Sequence, residues 1–142
     1  MARYAVRALQ EQGTGFRILR RTVPGIKDLP VACRQMFREE RADLCLALGM
    51  PGRAELDRSS AEVASMGLMM TGVLEAKPIV ECFVHETEAT SAVELETLAR
   101  RRAEEHALNA YDLLFRPQHL ARRAGTGLRQ GFPDAGPLRP VH

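Results

Sequence analysis

Apolar residues along this chain fall into two kinds of run. In Leu44-Cys45-Leu46-Ala47-Leu48 and in "PIVECFVH" (78–85) they are nearly continuous. That is the pattern of a short strand buried on both faces. Elsewhere they recur every three or four positions, the period of a helix with one packed face. Tyr4, Ala5, Ala8 and Leu9 form one such stripe and predict a helix over Met1 to Gln12. Leu29 to Glu40 predicts a second, with Pro30 tolerated in its first turn. A third is expected from about Ser60 to Ala76. Ser91 caps a fourth that runs to Phe115, with Leu95, Ala99, Ala103, His106, Ala110 and Leu114 on one face. After Gly13-Thr14-Gly15, the run from Phe16 to Val23 predicts a strand that stops at Pro24-Gly25.

Helix and strand alternate, which predicts an α/β fold with a parallel sheet covered on both sides. In such sheets ligands bind beyond the carboxyl ends of the strands. Three of these ends carry suggestive residues: Pro24-Gly25-Ile26-Lys27-Asp28, Gly49-Met50-Pro51-Gly52-Arg53, and His85-Glu86. All three are expected on one edge. Asp28 can bind hydroxyls or favour the helix N-terminus that follows it. The glycines permit close backbone approach to a ligand or serve an ordinary turn. His85 titrates near neutrality and can move a proton, or it is a hydrogen-bonded residue at a strand end. Arg101, Arg102 and Glu105 lie in a run whose default reading is a solvated helix face.

Composition adds little beyond class. Of 142 residues 45% are hydrophobic and 27% charged, as in an ordinary globular domain. No apolar run approaches the ~18 residues of a membrane span, and the opening residues do not read as a secretory signal, so a cytoplasmic location is expected. Cys33, Cys45 and Cys82 are widely spaced and odd in number, and read as reduced core residues. Charge is uneven. From residue 116 onward five arginines (116, 122, 123, 129 and 139) face one acid, Asp134, leaving the tail at +4 and everything before it at −2 of the net +2. We therefore divide the chain into an α/β domain over 1–115 and a basic, Gly- and Pro-containing tail over 116–142. Nucleic-acid binding by that tail is a weak reading, because it offers no stacking aromatic beyond Phe132.

The segments "RRTVPGIKDLPVAC", "LALGMPG", "ASMGLMM", "FVHE", "RRAEEHA", "YDLLFRP" and "AGTGLRQGFPDAGP", in this order and spacing, closely resemble the archaeal-type riboflavin synthases, relatives of lumazine synthase. The match runs from about Met1 to Pro137. It implies a flavodoxin-like αβα sandwich, a homopentamer, and the dismutation of two 6,7-dimethyl-8-ribityllumazine molecules to riboflavin and a ribitylamino-pyrimidinedione. It also implies that the chain begins inside the family's first helix, without the family's first strand. We therefore expect Met1 to be an internal methionine of a longer protein. By the same resemblance Ile26 and Lys27 contact the pyrimidine, Glu55 stands where lumazine synthase has a catalytic histidine, and Arg102 contributes across a subunit interface. His106 is expected to pack.

No cofactor is required for such chemistry, since the lumazine is itself the reagent. Mg²⁺ enters only by analogy, without a dedicated carboxylate cage. Neither nucleic acid nor membrane is an expected partner. The chain departs from the family at Ser60, Glu62 and Val63, reading "SAEVAS" where "CAHEAS" is expected. Two rival readings follow: lumazine synthase on the same fold, and a non-catalytic pentamer that binds lumazine or flavin.

Overall fold

The computed structural model describes residues 1–128 and 134–136. Its sheet consists of two parallel strands, β1 (Cys45–Gly49) and β2 (Ile79–Phe83), in register from Cys45 opposite Ile79 to Gly49 opposite Phe83. Alternate residues of β1 face opposite layers. Cys45 and Ala47 join Cys33 and Phe37 of helix α2 (Leu29–Arg38) and Ala61, Ala64 and Leu68 of helix α3 (Glu55–Glu75). Leu46 and Leu48 turn the other way, onto Ala5 and Ala8 of helix α1 (Ala2–Gln10) and Ala103 and Ala107 of helix α4 (Ala92–Phe115). The molecule is thus an αβα sandwich, with α2 and α3 on one face and α1 and α4 on the other. Alanine dominates the α1–α4 seam because two helices can approach closely only where side chains are small. Gly67 of α3 meets the same demand against α2, since a Cβ there would lie 2.7 Å from Pro30 Cγ.

Most elements lie where the hydrophobic pattern put them, with shifted ends. α3 begins five residues before the expected Ser60, because Asp57 Oδ2 accepts from the Ala54 amide at 3.2 Å and starts the helix early. At the other end Ala76 takes a left-handed conformation, φ 51°, that terminates it. Ser91 caps α4 as expected, its hydroxyl accepting from Glu94 N at 3.2 Å. A short helix α5 (Pro117–Arg123) follows and folds back on α4. Buried Asp112 of α4 accepts from Arg116 at 2.7 Å and stands 2.6 Å from His119 Nδ1. Arg129, Phe132 and Arg139 of the basic tail lie outside the described residues.

One expected strand does not form. Residues 16–23 run without helix or strand, and no backbone–backbone hydrogen bond involves them among the described residues. β-branched and apolar residues favour a strand only where a neighbouring edge supplies the ladder. Side chains hold this segment instead. Arg17 donates to the Glu40 carbonyl, Arg21 to Gln35 and Glu40, and Phe16 packs against Tyr111 and Phe115 of α4.

α2 and α3 are further joined by a three-residue ion cluster. Glu75, its side chain 10% exposed, accepts from Arg34 Nε at 2.8 Å and from Arg38 Nε at 2.9 Å. The Arg34 hydrogen bond, with help from Arg38, holds the Glu75 carboxyl below the usual carboxylate range. A depressed folded value contributes stability above the unfolded carboxylate pKa of about 4.3 and loses it as pH falls through the folded value. Glu75→Gln is therefore expected to lower the urea midpoint at pH 7, and the gap to the parent protein is expected to narrow as the pH is taken below about 4.3. Paired urea titrations over a series of pH values from 7 downward check this.

Candidate active site

The three segments expected at the sheet's carboxyl edge do meet there. Beyond the strand ladder, Val84 N donates to Gly49 O at 3.0 Å and Glu86 N to Pro51 O at 3.0 Å, so the loops after β1 and β2 run side by side. Arg53 ties them again, donating to the Ala89 carbonyl at 3.0 Å with its Nε 4.0 Å from Glu86 Oε2. The third segment is a single 3₁₀ turn, Ile26–Asp28, in which Asp28 Oδ2 accepts from Gly25 N at 3.0 Å. Asp28 thus closes its own turn, with Pro24, Gly25, Lys27 and Asp28 exposed around it. Ile26 reaches inward. A Cβ on Gly49 would lie 2.9 Å from Ile26 Cδ1 and 2.8 Å from Phe83 Cδ1, so the missing side chain is what lets both pack over the end of β1.

Beside this junction, on the α3 face of the sheet, lies a cavity of about 350 Å³. Arg58, Ala61, Glu62 and Ser65 of α3 form one wall, Glu81 and Phe83 of β2 the floor, and His85, Thr87 and Glu88 the far end. Of the residues singled out in the sequence as site residues, His85 lines it. Glu86 does not, and Met50 to Arg53 and Pro24 to Asp28 stand outside it. Phe83 connects the two regions, sharing the space over Gly49 with Ile26 and lining the cavity. Glu55 is exposed and pairs with Arg58 at 3.1 Å, which places it on the rim. Glu62, at one of the positions where the resemblance led another residue to be expected, faces the cavity.

Glu81 and Ser65 escaped the sequence reading. Glu81 is the one charge in the strand "IVECF", on the same face as Ile79 and Phe83, and its Oε1 accepts from Ser65 Oγ at 2.8 Å. That lone charge in an apolar run was the available signal. Glu88 is held below the usual carboxylate range, chiefly by the hydrogen bond from Arg102.

Arg102 lies on α4 in a run of charges whose default reading is a solvated helix face, but it is buried. Its guanidinium donates to Glu88 Oε1 and Oε2 at 2.8 and 2.7 Å and to the Phe83 carbonyl at 3.1 Å. Arg101 and Glu105 form an exposed pair at 4.0 Å. His106 Nδ1 lies 2.8 Å from the Arg102 carbonyl, which can only accept, so that nitrogen carries the proton.

The cysteines are buried free thiols. Burial pushes the Cys82 thiol up to about 12, and the hydrogen bond with Cys33, helped by burial, pushes Cys45 up as well, so neither serves as a nucleophile near neutral pH. Among the described residues, no group of three or more His, Cys, Asp or Glu is placed to hold a metal ion. Of the cavity's carboxylates, Glu81 is engaged by Ser65 and Glu88 by Arg102. They do not converge as an oxygen cage for Mg²⁺ would require.

The architecture is that of an α/β protein with a ligand-sized cavity at the carboxyl edge of a parallel sheet. Residues 1–118 match the family model described as 6,7-dimethyl-8-ribityllumazine synthase. The chain is 50% identical over 134 residues to the riboflavin synthase of Methanothermobacter thermautotrophicus, covering 94% of this chain and 88% of that protein. It is 43% identical over 140 residues to the riboflavin synthase of Aeropyrum pernix, covering 98% and 90%. A third relative, the riboflavin synthase of Archaeoglobus fulgidus, is 43% identical over 119 residues, 84% of this chain and 78% of that one. The chain belongs to the lumazine synthase-like family, alongside these archaeal riboflavin synthases.

Gly49→Ala is expected to destabilise the protein by about 1–3 kcal/mol, because the new methyl must displace Phe83 or Ile26. Chemical denaturation of the two proteins under one set of conditions measures it.

Proposed function

We propose that this chain is a riboflavin synthase that takes two molecules of 6,7-dimethyl-8-ribityllumazine, moves a four-carbon unit from one to the other, and releases riboflavin and 5-amino-6-ribitylamino-pyrimidinedione. The observation that carries this reading is identity of 43–50% across most of the chain with archaeal proteins of that name. The cavity is suited to the task. Phe83 offers a flat apolar floor for a heterocycle, while Glu62 and Glu81 supply acceptors for hydroxyl and N–H donors. The reaction needs a proton removed from the acidic 7-methyl group of one lumazine, and the carbanion so formed is the nucleophile. His85, at the cavity's end, is the residue we assign to carry that proton. The rest of the protein's work is to hold two flat molecules in a reactive pose. Pro24 to Asp28 and Met50 to Arg53 supply the neighbouring edge for the ribityl chain and the second ring, and Glu86 braces the loop that carries His85.

We further propose that the enzyme is a flavodoxin-like homopentamer in the cytoplasm. α3 supports assembly. Its outer face exposes Leu56, Val63, Met66, Met69, Met70, Val73 and Leu74, each more than half accessible. A stripe of that size on a single helix is a surface another copy would cover. Three buried free thiols agree with a reducing compartment, and no helix among the described residues is long and apolar enough to cross a membrane. The family model's own name favours a second reading, lumazine synthase. Against it stands Glu55 at the place where that activity would want a histidine.

Incubation with 6,7-dimethyl-8-ribityllumazine alone is expected to yield riboflavin and the pyrimidinedione in equal amounts, followed by riboflavin fluorescence. His85→Gln is expected to lower the rate about 10²-fold. Formation of lumazine from the pyrimidinedione and a four-carbon phosphate, with no riboflavin from lumazine, would overturn the assignment. Light scattering should give a pentamer for the parent protein and a smaller species for Val73→Glu.

A further inference from the structure

We infer that Arg102 is a positioning residue that fixes His85 from behind the cavity, acting through Glu88, and that it does not itself bind substrate. The inference rests on the function proposed above. α4 lies on the opposite face of the sheet from α3, and the cavity opens on the α3 face, so Arg102 reaches the site from the rear and forms no part of its lining. Its guanidinium makes a two-pronged pair with Glu88 and a third bond to the carbonyl of Phe83, the last residue of β2. Glu88 Oε1 in turn accepts from the backbone amide of His85 at 2.9 Å.

Three points of the cavity wall are therefore set by one buried cation: the end of the floor at Phe83, the Glu88 carboxylate and the His85 backbone. Charge-assisted, two-pronged bonds of this kind give orientation as well as energy. They also rule out lysine as an equivalent, because an ammonium lacks the planar fork that spans both carboxylate oxygens while a further N–H reaches the carbonyl. Without the guanidinium, Glu88 would be free to turn to solvent. The single 3₁₀ turn Glu86–Glu88 would then lose the acceptor that fastens His85, the residue capping its start. His85 would keep its chemistry and lose its aim.

The test uses Arg102→Lys, Arg102→Gln, Glu88→Gln and the double variant Arg102→Gln/Glu88→Gln in the full chain. Turnover of 6,7-dimethyl-8-ribityllumazine is measured alongside hydrogen exchange at the His85 amide. Arg102→Gln and Glu88→Gln are each expected to lower kcat about 10- to 100-fold, with KM changed less than about threefold and the double variant no worse than the poorer single one. Arg102→Lys is expected to recover only part of the loss. Exchange at the His85 amide is expected to quicken at least about tenfold in Arg102→Gln and in Glu88→Gln.

Additive losses, or a KM effect in Arg102→Gln with Glu88→Gln silent, would mean that Arg102 contacts the ligand directly and would overturn the inference. So would unchanged exchange at His85. If the parent protein fails to turn over lumazine, the functional reading falls by itself, and the exchange measurement still decides whether Arg102 holds His85. Should Arg102→Gln not fold, Glu88→Gln, altered at the less buried end of the pair, carries the same test.

Discussion

The architecture rests on a small parallel sheet that must be hidden on both faces. A two-stranded ladder five residues long buries too little on its own to persist in water. Its strands carry apolar residues toward both layers, so a helix pair is required on each side. That requirement sends α2 and α3 to one face and α1 and α4 to the other, and the crossover through α3 between the strands lets both point the same way. Parallel strands covered by helices end at a common edge, which is where the loops after Gly49 and Phe83 meet. The site follows from the same constraint, since these loops are pinned to each other by backbone bonds and cannot wander.

At that edge packing and chemistry share residues. Gly49 has no side chain, and the space it leaves is taken by Phe83 and Ile26. Phe83 is at once part of the α2–α3 core and the floor of the cavity, and its carbonyl holds Arg102. A shift of this one residue would be felt by the core, by the cavity and by the Arg102–Glu88 pair together. The contrast between the two faces is useful. The α3 side supplies the groups that can touch a ligand, while the α4 side supplies the buried charge that keeps them in place.

Much of this was legible in the order of residues. β1 and β2 were recognisable as short, nearly continuous apolar runs, and Ser91 marked the start of α4 through its capping hydroxyl. The expected strand over residues 16–23 was not realised, because its residues favour a strand only when an edge is at hand, and an edge is a property of the fold. α3 began early for a local reason, the Asp57 cap, that a hydrophobic stripe does not report. The burial of Arg102 was not legible, because a run of arginines and glutamates looks like a solvated face, and only tertiary structure shows which of them turns inward. Glu81 could have been found from sequence, as a carboxylate in an apolar strand demands a partner, and Ser65 is that partner.

The most direct test of the account is a crystal structure of the protein with riboflavin or a non-reactive lumazine analogue bound. The account predicts the heterocycle lying on Phe83, with its reacting edge toward His85 and its polar groups toward Glu62 and Glu81, while Arg102 stays engaged with Glu88 behind the wall. A heterocycle bound away from the α3–β2 cavity, or an Arg102 guanidinium turned out to meet it, would contradict the account.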